Sequence, residues 1–229
     1  MRVKDWDNLP EDMKNLGVMK YYMRLRKKNF SLFFKRVFDF TVALLMLIVL
    51  SPLFLVLAIA IKAGSKGPVF FRQVRVTQYG KQFRIYKFRT MVEDAEKQGA
   101  QVTTAGDKRI TKIGRFIRKC RLDEVPQLLN VLGGSMSFVG VRPEVPKYVE
   151  RYTDEMRATL LLPAGITSPA SIKYKDEDEI LAAADDPDEA YVEKVLPAKM
   201  EYNYAYLRKC GFFRDIGVMF ATVFAVLRH

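Results

Sequence analysis

The sequence predicts a helix-dominated α+β protein, in which a membrane-inserted helical hairpin is followed by a compact cytoplasmic domain. Three observations lead to this prediction. An apolar run at 40–61 has basic residues on both sides, two short β-prone runs follow at 69–76 and 82–88, and amphipathic helical patterns occupy much of the remainder. The chain has 229 residues, 49% of them hydrophobic, which is enough for one membrane element and one domain of ordinary size.

The expected divisions follow from these patterns. They are a basic interfacial extension at 1–36, a re-entrant membrane helix at 37–62 and a cytoplasmic domain with a small β-hairpin and interfacial amphipathic helices at 63–229. Residues 13–34 mix apolar and basic side chains, which fits either an interfacial helix or a solvated, disordered arm. The charged start and the late apolar run argue against a signal peptide, so the domain is expected to stay in the cytoplasm.

The apolar run is interrupted only by Thr41 and by Ser51-Pro52. At about 1.5 Å per residue it is long enough to cross a hydrocarbon core of about 30 Å. Proline removes a backbone donor and the Ser51 hydroxyl can replace the lost hydrogen bond, so we expect a bend there. A simple span needs one basic side, whereas both sides are basic here. Two arrangements fit: a re-entrant hairpin with both ends on the cytoplasmic face, and a kinked span with the N-terminus outside.

Asp39 lies at the mouth of this run, where an unpaired carboxylate is costly. Arg36 stands three residues earlier on the same helical face, so the spacing predicts an Arg36–Asp39 ion pair.

The rest of the chain is expected to alternate short elements and loops. The runs 69–76 and 82–88 form a hairpin through 78–81, and its basic residues, including Lys87 and Arg89, are either solvated or attract an anionic substrate. The other expected elements are a helix at 92–98, a polar loop at 101–108, an amphipathic helix at 110–121, a helix from about Asp123 to 132, a glycine-rich loop at 133–140, a helix at 144–162, a loop at 163–169, an acidic surface segment at 176–189, a helix at 191–208 and an apolar helix at 212–227 that either packs on the domain or enters one leaflet.

Composition restricts the chemistry. The net charge of +12 suits anionic lipids, nucleotides, phosphates or nucleic acid. His229 is the only histidine, which excludes histidine triads and two-histidine metal sites. Cys120 and Cys210 have no metal-ligand spacing and are expected to be reduced packing residues. Catalysis would therefore depend on carboxylates, arginines, lysines and a hard metal ion.

The segment 118–142 combines groups that suit phosphate chemistry. Asp123-Glu124 is read either as the acidic first turn of a helix or as a reactive pair, and a helix N-terminus would keep a carboxylate ionised. In the predicted helix Leu122, Val125, Leu129 and Leu132 form a buried stripe, while Asp123, Gln127 and Asn130 share the opposite face.

Arg118 and Arg142 provide forked donors that match phosphate oxygens. An ionised carboxylate among phosphate-binding groups requires a hard cation, for which Mg²⁺ is the usual choice. The combination indicates phosphoryl transfer, with Lys87, Arg89 and Gln127 as further candidate substrate-binding residues.

The chain resembles the bacterial sugar transferases, the monotopic polyprenol-phosphate phosphoglycosyltransferases. The matching segments are Lys35-Arg36-Val37-Phe38-Asp39, Ser51-Pro52, Gly67-Pro68-Val69-Phe70-Phe71-Arg72-Gln73, Tyr86-Lys87-Phe88-Arg89-Thr90-Met91, Arg121-Leu122-Asp123-Glu124-Val125-Pro126-Gln127-Leu128, Asn130-Val131-Leu132, Met136-Ser137-Phe138-Val139-Gly140 and Arg142-Pro143. The resemblance runs from about Lys35 to the C-terminus. The sequence departs from the family pattern at Ser135, where an acidic residue is usual, at Thr77 (glycine) and at Val141 (proline).

The resemblance implies a re-entrant membrane helix bent at Ser51-Pro52 and a catalytic domain on the cytoplasmic face of the bacterial inner membrane. It implies transfer of a sugar 1-phosphate from a UDP-sugar to polyprenol phosphate, with release of UMP. Asp123 would be the nucleophile that forms a covalent phosphosugar intermediate, Glu124 would act as metal ligand or base, and Arg118 and Arg142 would hold phosphates. Mg²⁺ would be bound by Asp123 and Glu124.

The expected partners are both substrates, membrane lipids and a second copy of the chain as a homo-oligomer, without nucleic acid. Two other classes compete with the enzyme. A non-catalytic scaffold or anionic-lipid binder would use only the basic surface. A membrane-tethered nucleic-acid binder would use the aromatic and basic residues of 70–89 for stacking and phosphate contact.

Overall fold

A computed structural model describes residues 1–93, 95, 107–174, 177–184 and 186–227. Helices dominate these residues and the strands form two small sheets, so the predicted α+β class is confirmed. The helices are α1 (Leu16–Arg26), α2 (Asn29–Val49), α3 (Ser51–Gly64), α4 (Lys112–Lys119), α5 (Leu128–Leu132), α6 (Pro146–Val149), α7 (Pro169–Lys173), α8 (Glu177–Ala182), α9 (Pro187–Ala190), α10 (Leu196–Lys209) and α11 (Phe212–Leu227). The strands are β1 (Phe70–Val76), β2 (Gln82–Phe88), β3 (Met136–Val139) and β4 (Ala164–Thr167).

The apolar run forms α2 and α3, which meet at an angle of 61°. The Ser51 hydroxyl donates to the Ile48 carbonyl at 2.8 Å, and Pro52 lies in the first turn of α3, where its missing N–H is tolerated. The predicted bend is therefore confirmed. No single helix among the described residues has both the length and the hydropathy of a membrane span, whereas α2 and α3 together do.

The predicted Arg36–Asp39 ion pair is wrong. Arg36 instead donates to the carbonyls of Val131 at 2.6 Å and Leu132 at 3.0 Å, at the end of α5. Asp39 is buried and accepts a hydrogen bond from Ser137 on β3 at 2.7 Å. Both side chains thus attach α2 to the domain, because each is hydrogen-bonded to a segment that packs on this helix.

The N-terminal residues pack on the domain. Val3, Met13, Val18 and Leu25 are almost completely buried in the main hydrophobic core, and Tyr21 stacks on Tyr204 of α10. The alternative of a solvated, disordered arm is therefore wrong. A helical segment does occur within 13–34, but its burial stabilises the fold.

The predicted hairpin is confirmed, with antiparallel pairing that runs from Phe70 opposite Phe88 to Val76 opposite Gln82. Tyr79 and Gly80 in its turn both have positive φ. Phe88, Ile117, Leu57 and Ile61 form a second, smaller cluster in which α3, β2 and α4 meet. This cluster attaches the hairpin and α4 to the second half of the apolar helix pair.

Two predicted loops contain a parallel pair of strands. Residues 136–139 pair with residues 164–167, and most of these side chains are buried. A Cβ on Gly140 would lie 2.7 Å from the Pro163 carbonyl oxygen, so glycine permits this close backbone approach. Glycine and serine led to the prediction of loops at 133–140 and 163–169, and that prediction is wrong for residues 136–139 and 164–167.

The remaining elements follow the predictions in part. The helices at 110–121 and 191–208 are confirmed as α4 and as a π turn followed by α10, but 144–162 contains only α6 and a 3₁₀ turn at Met156–Leu161. The last helix, α11, contacts α2, β3 and β4 through one face, while Phe213, Phe220 and Phe224 are exposed. Cys210 is buried as expected, whereas Cys120 is exposed. More than half of the predicted helix at 92–98 and most of the loop at 101–108 lie outside the described residues.

Candidate active site

The segment that contains Asp123 is fixed against the hairpin by Asn130. The Asn130 side chain accepts a hydrogen bond from the Tyr86 amide at 2.8 Å and donates to the Arg84 carbonyl at 3.0 Å. These bonds occupy the free edge of β2. They place the residues after α4 beside the basic side chains of the strand.

The predicted continuous helix from about Asp123 to 132 is wrong in its first half. Leu122–Gln127 is a 3₁₀ turn that follows Arg121 in the left-handed region at φ 54°, and the α-helix begins only at Leu128. A 3₁₀ helix has about three residues per turn, so the phase of the buried face changes. The buried residues are Pro126, Gln127, Leu128, Asn130 and Val131, whereas the predicted stripe of leucines and Val125 is half-buried.

Glu124 lies at the centre of a charged cluster. Arg142 donates to both of its carboxylate oxygens, through Nη2 to Oε1 and through Nη1 to Oε2 at 3.4 Å, and Lys87 Nζ lies 3.0 Å from Oε1. Burial alone would raise the pKa of Glu124, but Arg142 and Lys87 outweigh it and hold that pKa well below its usual value. Glu124 is therefore an ionised residue with two cationic partners.

Asp123, the adjacent residue, has a different environment. Among the residues that the structure describes, none donates a hydrogen bond to its carboxylate. Burial raises the pKa of Asp123 and the charge of Glu124 adds to the effect, while Lys87, Arg118 and Arg142 oppose it. The helix N-terminus that was expected to favour the ionised carboxylate is a short 3₁₀ turn here, and burial shifts the pKa of Asp123 in the opposite direction.

The structure thus brings Asp123, Glu124, Lys87, Arg118 and Arg142 into one electrostatic cluster. Arg118 comes from the last turn of α4 and acts on Asp123 through its charge. Arg142 also reaches the Ile166 carbonyl at 3.4 Å, which ties the cluster to the end of β4. A carboxylate without hydrogen bonds among three cations can approach an electrophilic phosphorus atom while the cations bind phosphate oxygens.

Two predicted substrate-binding residues lie in buried positions. Arg89 donates to the carbonyl and the hydroxyl of Ser65 at 2.8 and 2.9 Å, so it contacts the C-terminus of α3. Gly67, at φ 112°, leaves the space that the Arg89 guanidinium occupies. Gln127 is completely buried, and neither polar atom of its amide has a partner in the described parts of the chain.

The departures at Thr77 and Ser135 are linked by direct contact. The Thr77 hydroxyl donates to the Ser135 carbonyl at 2.7 Å and accepts from the Ala164 amide at 3.1 Å. The Ser135 hydroxyl donates to the Asn130 carbonyl at 3.2 Å. These side chains therefore support the parallel strands and the segment that contains Asp123.

Sequence reasoning missed a buried polar cluster next to this site, formed by Glu144, Tyr191 and Lys199. One signal was available. Lys199 falls within the apolar face of the helix predicted at 191–208, three residues after Leu196 and one before Met200. A lysine in a buried stripe requires a partner, because an unpaired buried charge is costly.

Comparisons with known proteins agree on one group. A family model described as bacterial sugar transferase matches residues 30–229. The UDP-N-acetylgalactosamine-undecaprenyl-phosphate N-acetylgalactosaminephosphotransferase of Aeromonas hydrophila is 35% identical over 198 residues, which are 85% of this chain and 44% of that protein. The UDP-glucose:undecaprenyl-phosphate glucose-1-phosphate transferase of Klebsiella pneumoniae is 38% identical over 195 residues, 83% of this chain and 39% of that protein.

A shorter relative aligns along most of its length. The uncharacterized sugar transferase EpsL of Bacillus subtilis is 37% identical over 195 residues, which are 84% of this chain and 87% of that protein. The chain thus spans less than half the length of the Aeromonas and Klebsiella proteins but nearly all of EpsL.

Proposed function

The chain belongs to the bacterial sugar transferase family, and from this premise we propose that it transfers a sugar 1-phosphate from a UDP-sugar to a polyprenol phosphate. The products are UMP and a polyprenyl-diphosphate-linked sugar. Support comes from the relatives, whose names specify a UDP-sugar or a sugar 1-phosphate and undecaprenyl phosphate. The chemistry of the site is the independent support.

The observation that carries the proposal is the contrast between the two adjacent carboxylates. Glu124 is bonded to Arg142 and Lys87, so its oxygens are engaged. The Asp123 carboxylate accepts no hydrogen bond from the described residues, and the charges of Lys87, Arg118 and Arg142 act on it. Asp123 is therefore better suited to attack, and Glu124 is better suited to hold Arg142 and Lys87 in position.

The proposed reaction has two displacements. A carboxylate oxygen of Asp123 attacks the β-phosphorus of the donor, the bond from that phosphorus to the bridging oxygen breaks, and UMP leaves with that oxygen. An acyl phosphate joins Asp123 to the sugar phosphate. A phosphate oxygen of the polyprenol phosphate then attacks the same phosphorus, and the bond to Asp123 breaks, which regenerates the carboxylate.

The cations assist by stabilising the negative charge that builds up on the phosphate oxygens. Arg142 and Arg118 are assigned to these oxygens, because a guanidinium offers paired donors that match them. Lys87 completes the cationic side of the site. Asp123 is partly buried, so its attraction to these charges is stronger than it would be in water.

Mg²⁺ is part of the proposal. Carboxylate oxygens are the hard donors that Mg²⁺ prefers, and it is commonly bound by one or two carboxylates together with substrate phosphates. Within the described residues no group of three or more acidic, histidine or cysteine side chains is placed to hold a metal. Asp123 and Glu124 would hold the ion, Asp123 through oxygens that accept no hydrogen bond from the described residues and Glu124 through Oε2, which Arg142 Nη1 approaches only to 3.4 Å. The ion would supply charge neutralisation of the diphosphate.

The membrane arrangement is a further part of the proposal. We assign α2 and α3 to a re-entrant hairpin in the bacterial inner membrane, with both ends on the cytoplasmic face. The 61° bend and the attachment of both ends to the domain, through Arg36 and Asp39 at one end and Ser65 at the other, support this assignment. A lipid-borne acceptor and a water-soluble donor would then reach one site.

UMP release from a panel of UDP-sugars, with undecaprenyl phosphate in detergent, tests the activity. We expect Asp123→Asn to abolish UMP release while the protein stays in the membrane fraction. Asp154→Asn is the matched control, since Asp154 is exposed and has no described partner. Turnover in Asp123→Asn would reject the nucleophile. Absence of UMP from every donor with the unmodified chain would favour the alternative of a non-catalytic scaffold or anionic-lipid binder.

A further inference from the structure

Glu144, Tyr191 and Lys199 form a buried polar cluster, and Glu144 lies two residues after Arg142 in the chain. The Tyr191 hydroxyl donates to Glu144 Oε1 at 2.6 Å, and Lys199 Nζ lies 3.1 Å from the Tyr191 hydroxyl and 3.8 Å from Glu144 Oε1. The side chains of Lys199 and Glu144 are 5% and 8% exposed. Tyr191 and Lys199 lie in the π turn and in α10, which are continuous, and Glu144 joins them from a distant part of the chain.

Glu177, at the start of α8, is the member of this network that reaches the surface. Its Oε2 accepts a hydrogen bond from Lys199 Nζ at 2.9 Å, and its side chain is 26% exposed. Within the described residues its second oxygen, Oε1, has no partner. Lys199 therefore fixes one oxygen of the carboxylate, and no described residue occupies the other.

The cluster is attached directly to the segment that contains Arg142. Glu144 lies two residues after Arg142, and its carbonyl accepts a hydrogen bond from the Val76 amide at 2.9 Å. Arg75 donates to the Pro143 carbonyl at 3.1 Å. The charge of Glu124 is the main cause of a raised pKa at Arg142, and Glu177 and Glu144 add to it, so Glu177 lies within electrostatic range of the site.

We propose that Glu177 is a specificity residue that accepts hydrogen bonds from hydroxyl groups of the donor sugar. The inference rests on the proposed function, because it requires a sugar on the phosphate that Arg142 binds. The sugar is attached to that phosphate, and the hydrogen-bond network of Glu177 leads through Lys199 to Glu144, two residues after Arg142, so we expect the sugar ring to come within reach of the Glu177 carboxylate. Lys199 is the positioning residue, since it fixes the Glu177 carboxylate and connects it to Glu144.

The test compares donors that differ at one hydroxyl. The probe is the UDP-sugar that the unmodified chain uses best, together with its epimers and deoxy analogues, and the readout is kcat/KM for UMP release. A hydrogen bond to a charged group typically accounts for about 10- to 100-fold in binding. We expect Glu177→Ala to reduce kcat/KM for the preferred donor by about this factor and to affect the analogue that lacks the recognised hydroxyl much less.

Glu193→Ala is the matched control, because Glu193 is an exposed glutamate near the same cluster. Glu177→Gln preserves the size and an acceptor for Lys199, so it separates recognition from folding, and thermal melting verifies that each variant is folded. An equal loss for every donor, or no loss, would overturn the proposal. If the unmodified chain releases no UMP from any donor, the proposed function itself fails, which is a different outcome.

Discussion

Lys35 of α2 and Asp215 of α11 form an ion pair at 2.5 Å, although they are 180 positions apart in the chain. Their side chains are 5% and 7% exposed. Lys35 also donates to the Val139 carbonyl at 2.9 Å, and the Tyr206 hydroxyl donates to Asp215 at 3.1 Å. This pair therefore joins the first helix of the apolar hairpin to the last helix and to β3.

Loss of Lys35 should destabilise the protein strongly. Lys35→Met leaves the buried Asp215 carboxylate without its cation, which typically costs about 3–5 kcal/mol. The measurement is the free energy of unfolding of the detergent-solubilised chain in urea. The double variant Lys35→Met/Asp215→Leu should recover much of the loss, because it removes both charges.

Lys147→Met is the control for that experiment. Lys147 pairs with Asp188 at 2.6 Å, but its side chain is 56% exposed, so the expected cost is below about 1 kcal/mol. Equal costs for Lys35→Met and Lys147→Met would contradict the account of α2 attachment.

As the pH is lowered, kcat/KM should begin to fall at a higher pH than the range in which an ordinary aspartate titrates. Burial, together with the charge of Glu124, raises the pKa of Asp123, and only the deprotonated carboxylate can attack. A raised pKa means that Asp123 becomes protonated at a higher pH, so kcat/KM decreases there as the pH is lowered. The pH profile of kcat/KM reports the groups of the free enzyme.

Glu124→Gln should move this acid-side decrease of kcat/KM, the acid limb of the pH profile, to lower pH. The substitution removes a negative neighbour and leaves Lys87 and Arg142 available to stabilise the Asp123 carboxylate, and both effects lower its pKa. Glu193→Gln, at an exposed position, should leave the limb unchanged. A limb that stays in place or moves upward in Glu124→Gln would contradict the assigned environment of Asp123.

Gly114 controls how closely α4 approaches the segment after β2. A Cβ at this position would lie 2.0 Å from the Thr90 carbonyl oxygen, which is a backbone atom. Gly114→Ala should therefore displace α4, lower the free energy of unfolding by about 1–3 kcal/mol and reduce UMP release, since α4 contains Arg118.

Gly217→Ala is the matched substitution in α11. Among the described residues, no atom outside the neighbouring backbone of α11 lies within 4 Å of a Cβ at Gly217, and alanine favours a helix over glycine by up to about 1 kcal/mol. It should leave stability unchanged or raise it. If both glycine variants behave alike, steric contact with Thr90 does not explain the effect.

Several features were predictable because their causes are local. The Ser51-Pro52 pair fixes the bend by removing one donor and supplying another, and the hairpin follows from alternating side chains around Gly80. Asp123, Glu124 and Arg142 were predicted as site residues from their types, their neighbours and the family resemblance, and that assignment stays a prediction. The structure shows that their side chains meet in one cluster.

Other features depend on contacts between distant segments. The β3–β4 pair consists of two four-residue strands in glycine-containing stretches, separated by 24 residues, so neither strand has a strong pattern of its own. The partners of Arg36 and Asp39 come from α5 and β3, and nearest-turn reasoning on α2 could not identify them. Likewise, the raised pKa of Asp123 follows from burial by the assembled domain.

The membrane arrangement predicts that the N-terminus stays on the cytoplasmic side. In spheroplasts, an N-terminal tag should resist added protease until the inner membrane is opened, as should a C-terminal tag. Ser51→Ala/Pro52→Ala should straighten the bend and expose part of the N-terminal tag population to the protease. Cleavage of the N-terminal tag on the unmodified chain in intact spheroplasts would contradict a re-entrant hairpin.

The covalent role of Asp123 is the central claim, and intact-protein mass spectrometry tests it most directly. Incubation with the preferred UDP-sugar without acceptor should add the mass of one sugar phosphate, on the peptide that contains Asp123, and polyprenol phosphate should remove it. Asp123→Asn should acquire no such mass. Stoichiometric UMP release with the protein mass unchanged, or an adduct on another residue, would contradict the account.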